Sequence, residues 1–340
     1  MPVSSISFSA SSGSWPKAAC VIMAPIMSAV DLALAYDWEY DADFIRLCED
    51  EAEGFGLSTL TIPPPGLAAA LAGLESGEIG IRFLFDRASS TTPDFLPLQR
   101  TLAGRGVDVI DPLEGLRWAS DKATMHLEFI TAGLLTPFTI ILPPFNHSET
   151  AEIARDEFER LGRPFVIKPA NTTGGSIGVI KDALTLDDIL RARREYKDDK
   201  YLVQETIAPL ERDGRRFWFR GFYSCGLVQC AWWDDLTHRY RELSADDVEG
   251  YGLLPLFEIV SRIAGVSRLR FFSTEIALTP DGRFIVIDYV NESCDVRLQS
   301  RAADGVPDAL VRNIAAAIVR YIHGRLKLSN PGSPRFDERG

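Results

Sequence analysis

The densest group of residues suited to chemistry lies in the segment FVIKPANTTGGSIGVI, residues 165–180. An apolar run, predicted to be a strand, places Lys168 just before a loop of small residues at 171–176. In that loop, Gly174 and Gly175 let backbone N–H groups approach anionic oxygens without a Cβ in the way. A lysine beside such a loop can neutralise phosphate charge, so the segment predicts a phosphate-binding hairpin.

This segment differs from two better-known phosphate motifs. It lacks the Gly-Lys-Ser or Gly-Lys-Thr of a Walker loop, and the chain has no GxGxxG dinucleotide fingerprint. Taken alone, the same residues also fit a flexible glycine turn beside a surface lysine.

Two acidic residues lie inside very apolar runs in the last third of the chain. Glu275 occurs in FFSTEIAL and Asp288 in FIVIDYVN, and the Pro-Asp-Gly turn at 280–282 predicts that the runs form one hairpin. Burying a carboxylate costs free energy unless it is paired or binds a cation. With the amide of Asn291, the hairpin predicts an oxygen-ligand site for Mg²⁺ or Mn²⁺. Acids that are salt-bridged or face solvent are the alternative.

The elements around these residues predict an α/β fold. From residue 18 to 119, short apolar runs alternate with helical patterns, which indicates a parallel sheet covered by helices. Residues 120–207 form a second unit around the glycine-rich loop, and residues 208–328 form a third, richer in strands. Residues 1–17 and 329–340 are typical of disordered tails.

Several individual elements follow from hydrophobic periodicity. The pattern predicts a helix over 149–162 and a longer one over 246–264. Residues 215–234 predict two antiparallel strands joined at 225–226, and residues 18–25 resemble a buried strand.

Composition excludes several classes of function. The chain has 340 residues and a formal net charge of -12, which argues against general affinity for nucleic acid or an anionic membrane. Its five cysteines include no CxxC pair, so reduced thiols and a cytoplasmic location are expected. No apolar run reaches membrane-spanning length, and the N-terminal segment lacks the pattern of a secretory signal.

The chemical segments occur in an order that resembles the ATP-grasp superfamily. In chain order they are Lys122, Lys168 with its glycine-rich loop, residues 203–207, Glu275, and residues 287–291. The resemblance covers residues 120–291 and implies a two-lobed ATP site. It also implies that residues 18–119 form the Rossmann-like preATP-grasp domain.

The resemblance assigns roles to particular residues. Those implied to bind ATP are Lys122, Lys168, Thr173, Gly174, Gly175, Ser176, Gln204, Glu205 and Ile207. Glu275, Asp288 and Asn291 would bind Mg²⁺ or Mn²⁺ beside the phosphates. Arg216 corresponds to an arginine that reaches phosphate or acyl phosphate in similar proteins.

One departure from the superfamily pattern concerns the metal site. The usual ending is Glu-x-Asn, whereas Asp288 and Asn291 are three residues apart. Plain strand alternation would put their side chains on opposite faces. Either a bulge after Tyr289 brings them together, or Glu292 substitutes.

A second departure concerns the ribose. Gly214, two residues before Arg216, replaces a position that is commonly acidic. We therefore expect the ribose contact to shift to Asp213 or Glu211.

The implied reaction is the joining of a small carboxylate, amino-acid or peptide-like, to an amine through an acyl phosphate. Arg297, six residues past Asn291, is the candidate for binding a substrate carboxylate, and Arg220 is a weaker one. The alternatives are a phosphotransferase acting on a hydroxyl and a non-catalytic nucleotide-binding protein. Similar enzymes are commonly homodimers.

Overall fold

A computed structural model describes residues 28–172 and 177–329 of the chain. Four predicted loop residues, Thr173, Gly174, Gly175 and Ser176, lie outside these ranges. The predicted strand at 18–25, the predicted N-terminal tail and residues 330–340 also lie outside them.

The described residues form ten α-helices and seventeen β-strands. The helices are α1 (Ala42–Gly54), α2 (Leu67–Ser76), α3 (Leu96–Gly104), α4 (Leu113–Ser120), α5 (Lys122–Thr131), α6 (Arg155–Arg160), α7 (Leu186–Ala192), α8 (Ala245–Gly250), α9 (Leu254–Ser267) and α10 (Asp308–Ser329). The strands are β1 (Ser28–Val30), β2 (Leu32–Ala35), β3 (Thr59–Ile62), β4 (Ile79–Ile81), β5 (Phe83–Asp86), β6 (Asp108–Ile110), β7 (Thr139–Leu142), β8 (Phe165–Pro169), β9 (Ile180–Ala183), β10 (Tyr201–Glu205), β11 (Glu211–Arg212), β12 (Arg215–Arg216), β13 (Trp218–Ser224), β14 (Leu227–Trp233), β15 (Tyr240–Glu242), β16 (Phe271–Leu278) and β17 (Phe284–Asn291).

The first sheet has four parallel strands in the order β3-β2-β5-β6. Successive side chains on a strand face opposite sides of a sheet. Accordingly, Leu34 and Phe85 belong to a core with α1 and α10, whereas Ala35 and Leu84 belong to a core with α2 and α3. The predicted parallel sheet with helices on both faces is confirmed.

The order of this sheet reverses between β2 and β5. From β2 the chain moves outward to β3 and then returns to β5 on the other side of β2. In open α/β sheets, ligands bind beyond the carboxyl ends of strands at such a switch point.

The second sheet is antiparallel, in the order β7-β10-β8-β9, and packs its apolar side chains with α7. The third is antiparallel, in the order β15-β14-β13-β16-β17. One face of the third sheet packs on α4, α5 and α9, and the other packs on α10. The α10 core also contains β2 and β5 residues, so one core joins the first and third sheets.

The predicted helix over 149–162 is shorter in the structure, where α6 covers only Arg155–Arg160. The buried Arg193 donates from its guanidinium to the backbone carbonyls of Pro143, Ser148 and Thr150, which precede α6. The carbonyls of Ser148 and Thr150, at the predicted start of the helix, therefore accept from a side chain instead of helical N–H groups.

The predicted helix over 246–264 is two helices, α8 and α9. Gly252 between them has a φ of 67°, which a helix does not allow, and Pro255 lies in the first turn of α9. The two predicted hairpins, β13-β14 and β16-β17, are confirmed. The turn between β13 and β14 is made by Cys225 and Gly226, both at positive φ.

Short elements were not predicted. These are α4, the β1-β4 pair, the β11-β12 pair and β15, and most are strands too short for an alternating pattern to be visible. In the described part of the chain, no helix combines the length and apolar character needed to cross a membrane.

Candidate functional site

Lys168 joins the second sheet to the third. It lies on β8 and is only 7% exposed. Its Nζ donates to the carbonyl of Ile287 on β17 at 3.2 Å and lies 5.2 Å from the centre of the Tyr289 ring. The lysine of the predicted phosphate hairpin therefore lies beside the residues that flank Asp288.

The two predicted metal-binding carboxylates are cross-strand neighbours. Glu275 on β16 is paired directly with Asp288 on β17. Asn291 is paired with Ser273, so three steps along β17 match two along β16, which is a β-bulge. The extra residue changes the alternation between Asp288 and Asn291, which is one of the two arrangements predicted for this spacing.

Burial and opposite charges compete at this site. Burial opposes ionisation of Asp288, but Lys122, Lys168 and Arg220 hold the pKa of its carboxyl below the ordinary value. Burial lowers the pKa of Lys168 to about 8, and Lys122 adds to this, while Asp288 and Glu275 oppose it. Charged groups from distant stretches of chain thus interact at one place.

Glu275 is held at both carboxylate oxygens. Arg220 Nη1 lies 3.1 Å from Oε1, and Trp218 Nε1 donates to Oε2 at 3.2 Å. Arg220 also lies over the ring of Trp233, 5.0 Å from its centre. The weaker candidate for substrate binding, Arg220, therefore orients a carboxylate of the predicted metal site.

Lys122 is positioned by the start of α5. Asp121 caps this helix by accepting from Ala123 N at 3.0 Å and Thr124 N at 3.1 Å. The backbone N–H of Lys122 donates to the carbonyl of Ala170, two residues beyond Lys168. The capped helix start therefore brings both predicted phosphate-binding lysines together.

The donor set fits a hard cation that also contacts phosphate. Asp288, Glu275 and Asn291 offer carboxylate and amide oxygens, the ligands that Mg²⁺ prefers. Within residues 28–172 and 177–329, no three His, Cys, Asp or Glu side chains are close enough to hold a metal ion by themselves. Magnesium in nucleotide enzymes is commonly held by one or two carboxylates together with substrate phosphates, so this set suffices.

Several solved structures have an architecture similar to that of this chain. A RimK domain ATP-grasp protein from Sphaerobacter thermophilus is 20% identical, with 85% of this chain and 98% of that one covered at a TM-score of 0.58. D-alanine–D-alanine ligase from Bacillus anthracis, complexed with ATP, is 13% identical, with 89% and 99% covered at 0.58. The ATP-grasp ligase PsnB, complexed with minimal precursor, Mg and ADP, is 14% identical, with 85% and 98% covered at 0.56.

The chain has the ATP-grasp fold. The fold class predicted from the order of the sequence segments is therefore confirmed. No protein-family model matches the chain, and no curated protein sequence matches it either. The domain boundaries and the roles of individual site residues stay predictions.

One stem of the glycine-rich loop of this ATP-grasp fold is anchored by hydrogen bonds. The buried Asp199 accepts from Asn171 N and Asn171 Nδ2, both at 2.9 Å, and from Thr172 N at 2.8 Å. On the other side, Gly178 has a φ of 72°. Asp199 could not be recognised from the sequence, since nothing local distinguishes it from the acid beside it.

The predicted adenine strand β10 is bound to its neighbours. The Gln204 amide donates to Thr139 Oγ1 and Tyr289 Oη, each at 2.8 Å. Glu205 Oε1 accepts from Phe138 N at 2.7 Å, and Ile207 is half-buried. Gln204 therefore links β10 to the residue next to Asp288, and its contact with adenine stays a prediction.

Arg216 already has two acidic partners. Its guanidinium pairs with Asp235 at 3.0 Å and with Glu211 at 2.5 Å. Asp213, a predicted ribose contact, accepts from Tyr251 Oη at 3.0 Å and is 57% exposed. A phosphate contact of Arg216 would have to compete with these carboxylates.

Arg297 is also neutralised by acids of its own chain. It pairs with Asp295 at 2.6 Å and with Asp304 at 2.9 Å, and it lies over the ring of Trp38. These two carboxylates already occupy the guanidinium donors that a substrate carboxylate would need. The structure therefore gives no support for the predicted substrate role of Arg297.

A buried network of hydrogen bonds lies behind the site. No single segment of the sequence contains a pattern that predicts it. His126 on α5 is 4% exposed, and its Nδ1 lies 2.8 Å from Tyr289 Oη. Burial, with Lys168 adding to it, lowers the pKa of His126 to about 4. Neutral His126 thus supports the tyrosine adjoining Asp288 without adding charge.

The low pKa of His126 predicts that the stability of the folded protein depends on pH. Between pH 6.5 and about 4 the unfolded chain binds a proton at His126 that the folded chain excludes, so stability falls as pH decreases through this window. We expect His126→Gln to remove about 2 kcal/mol of the difference in unfolding free energy between pH 7 and pH 5. Urea titrations at both pH values measure it, with the exposed His147→Gln as control. An unchanged pH difference in His126→Gln would refute the assignment.

Proposed function

We propose that the chain is an ATP-dependent ligase that joins a small carboxylate to an amine and uses Mg²⁺. The observation that supports this most is the meeting of Lys122, Lys168, Glu275 and Asp288 at the contact of β8 with β17. Opposite charges gathered from distant stretches fit a triphosphate with its divalent ion. The two lysines would neutralise phosphate, and Glu275, Asp288 and Asn291 would hold the ion.

The proposed reaction has two transfers. An oxygen of the substrate carboxylate attacks the γ-phosphorus, and the bond to the β-phosphate oxygen breaks to release ADP. The amine, after losing a proton to solvent, then attacks the acyl carbon. The carbon–oxygen bond to phosphate breaks, and the departing phosphate takes the second proton from nitrogen to leave an amide. When bound, Mg²⁺ supplies charge neutralisation for the phosphates. Lys168 and Lys122 stabilise the same negative charge from fixed positions.

Structural neighbours support the choice of nucleotide and ion. D-alanine–D-alanine ligase was crystallised with ATP, and PsnB with Mg and ADP. We propose ATP and Mg²⁺ for this chain on that likeness and on the donor set described above. Its partners would then be two small molecules.

A cytoplasmic location belongs to the same proposal. The four cysteines that the structure describes, Cys48, Cys225, Cys230 and Cys294, are all free thiols. Reduced thiols are typical of proteins that remain in the cytoplasm.

Product analysis tests the ligase directly. The protein is incubated with MgATP and pairs drawn from a panel of amino acids and short peptides, with ADP release and product mass as readouts. ADP together with an amide-linked product supports the proposal. ADP with a phosphorylated alcohol would show a phosphotransferase instead, and no ADP with any pair would favour a non-catalytic nucleotide-binding protein.

A further inference from the structure

A cavity of about 200 Å³ lies between the first sheet and the end of β17. The loop after β5 contributes Ser89, Ser90 and Thr91, helix α4 contributes Arg117, and the residue following β17 contributes Glu292. Leucines of α3 and α4 form its apolar wall. It therefore opens at the carboxyl end of β5, next to the switch point of the parallel sheet and next to the proposed metal site.

Hydrogen bonds fix the two walls of this cavity relative to each other. The buried Asp86 accepts from Ser89 N at 3.0 Å and from Gln99 Nε2 at 2.8 Å. Gln99 Oε1 in turn accepts from Leu113 N, the first residue of α4, at 2.6 Å. Ser89 Oγ donates to the carbonyl of Phe95 at 3.1 Å. The cavity is thus preorganised by groups that the proposed chemistry does not otherwise use.

Arg117 differs from the other arginines near the site. Arg216 and Arg297 each pair with two carboxylates, whereas the exposed guanidinium of Arg117 forms no ion pair with another described residue. A cationic fork and an acid, Glu292, line the same small cavity and match a molecule with one anionic and one cationic group. The leucine wall suits a short apolar body between those groups.

We propose that this cavity binds the amine substrate, and that this substrate is a single amino acid or a molecule of similar size that bears its own carboxylate. Arg117, with the Ser90 hydroxyl, binds the carboxylate, and the amine lies toward Glu292. Because Glu292 directly follows Asn291, this orientation presents the amine to the proposed reaction centre and keeps the carboxylate away from it. The inference rests on the proposed function and moves the substrate-carboxylate role from Arg297 to Arg117.

The size of the cavity limits the ligand. Pockets for drug-sized ligands usually measure roughly 300–1,000 Å³, so 200 Å³ favours a smaller molecule. We therefore expect single amino acids to bind better than peptides at this position.

Binding to the nucleotide-loaded protein tests this proposal. The protein is saturated with MgAMP-PNP and titrated calorimetrically with the common amino acids of both configurations, with their decarboxylated amines, and with dipeptides. At least one amino acid is expected to bind, with its decarboxylated amine weaker by about 10- to 100-fold. Arg117→Gln should weaken that amino acid by a similar factor and leave its amine unchanged. Arg155→Gln, at a side chain 92% exposed on α6, is the matched control.

The outcomes separate this proposal from the proposed function. If MgAMP-PNP itself does not bind, the proposed function fails and the present inference fails with it. If MgAMP-PNP binds but no amino acid does, or only dipeptides do, the substrate class is wrong. If Arg117→Gln keeps the preference for the amino acid over its amine, Arg117 does not recognise the carboxylate.

Discussion

Lys168→Met is expected to lower MgATP-dependent turnover by at least about a hundredfold while the protein stays folded. The lysine is the buried cation that faces Asp288 across the contact of β8 with β17. The transferring γ-phosphate would carry its negative charge at this contact. Burial already lowers its pKa to about 8, so an uncharged side chain of similar length should be tolerated in the fold. ADP release and thermal unfolding of the same preparation measure both effects.

Lys181→Met is the matched control for this variant. Lys181 is an exposed lysine on β9, the strand paired with β8, so its replacement should leave turnover unchanged. Full activity of Lys168→Met would exclude the phosphate role of Lys168. An equal loss in both variants would point to a general effect on the second sheet instead.

Asp288→Asn is expected to abolish the Mg²⁺-dependent part of nucleotide binding. The change keeps the shape of the side chain but removes the charge that balances Lys122, Lys168 and Arg220. Breaking a buried ion pair typically costs about 3–5 kcal/mol, so we also expect a lower melting temperature without nucleotide. The decisive quantity is therefore the increase in melting temperature caused by AMP-PNP, measured with Mg²⁺ and with EDTA.

Two further variants complete this comparison. Asp281→Asn changes an acid in the β16-β17 turn that is 58% exposed, and it should retain the full Mg²⁺-dependent increase. Glu275→Gln keeps Asp288 and should give a partial loss. If Asp288→Asn folds and shows the same Mg²⁺-dependent increase as the unchanged protein, Asp288 is not a metal ligand.

The fold could be predicted from the sequence because its strongest patterns are local. The β16-β17 hairpin has two long apolar strands around a Pro-Asp-Gly turn, so the turn makes the two strands neighbours, while register shifts beside Glu275 set its pairing with Asp288. The hairpin pattern was therefore sufficient to place Glu275 and Asp288 on adjacent strands. The bulge near Asn291 could be anticipated because the spacing of the two predicted ligands left either a bulge or replacement by Glu292.

Side-chain partners from distant segments could not be predicted in this way. Arg297 looked available in the sequence, but Asp304, seven residues further on, occupies its guanidinium together with Asp295. Arg193 donates to the carbonyls of Ser148 and Thr150, more than forty residues earlier, where the predicted helix would begin. Neither interaction leaves a pattern in its own segment.

The cavity beside Glu292 could not be predicted from the sequence for the same reason. Its walls come from the loop after β5, from α3 and α4, and from the end of β17, and they meet only when the first and third sheets pack together. α4 itself has only eight residues, too few for a clear periodic pattern. Nothing in the sequence therefore distinguishes Arg117 from the other arginines.

A crystal structure with MgAMP-PNP tests the central claim most directly. We predict electron density for the triphosphate between β8 and the β16-β17 hairpin, with Lys168 and Lys122 at the phosphates and a metal ion bound by Asp288. Nucleotide bound in another cavity, or bound without contact to Lys168 and Asp288, would contradict the account.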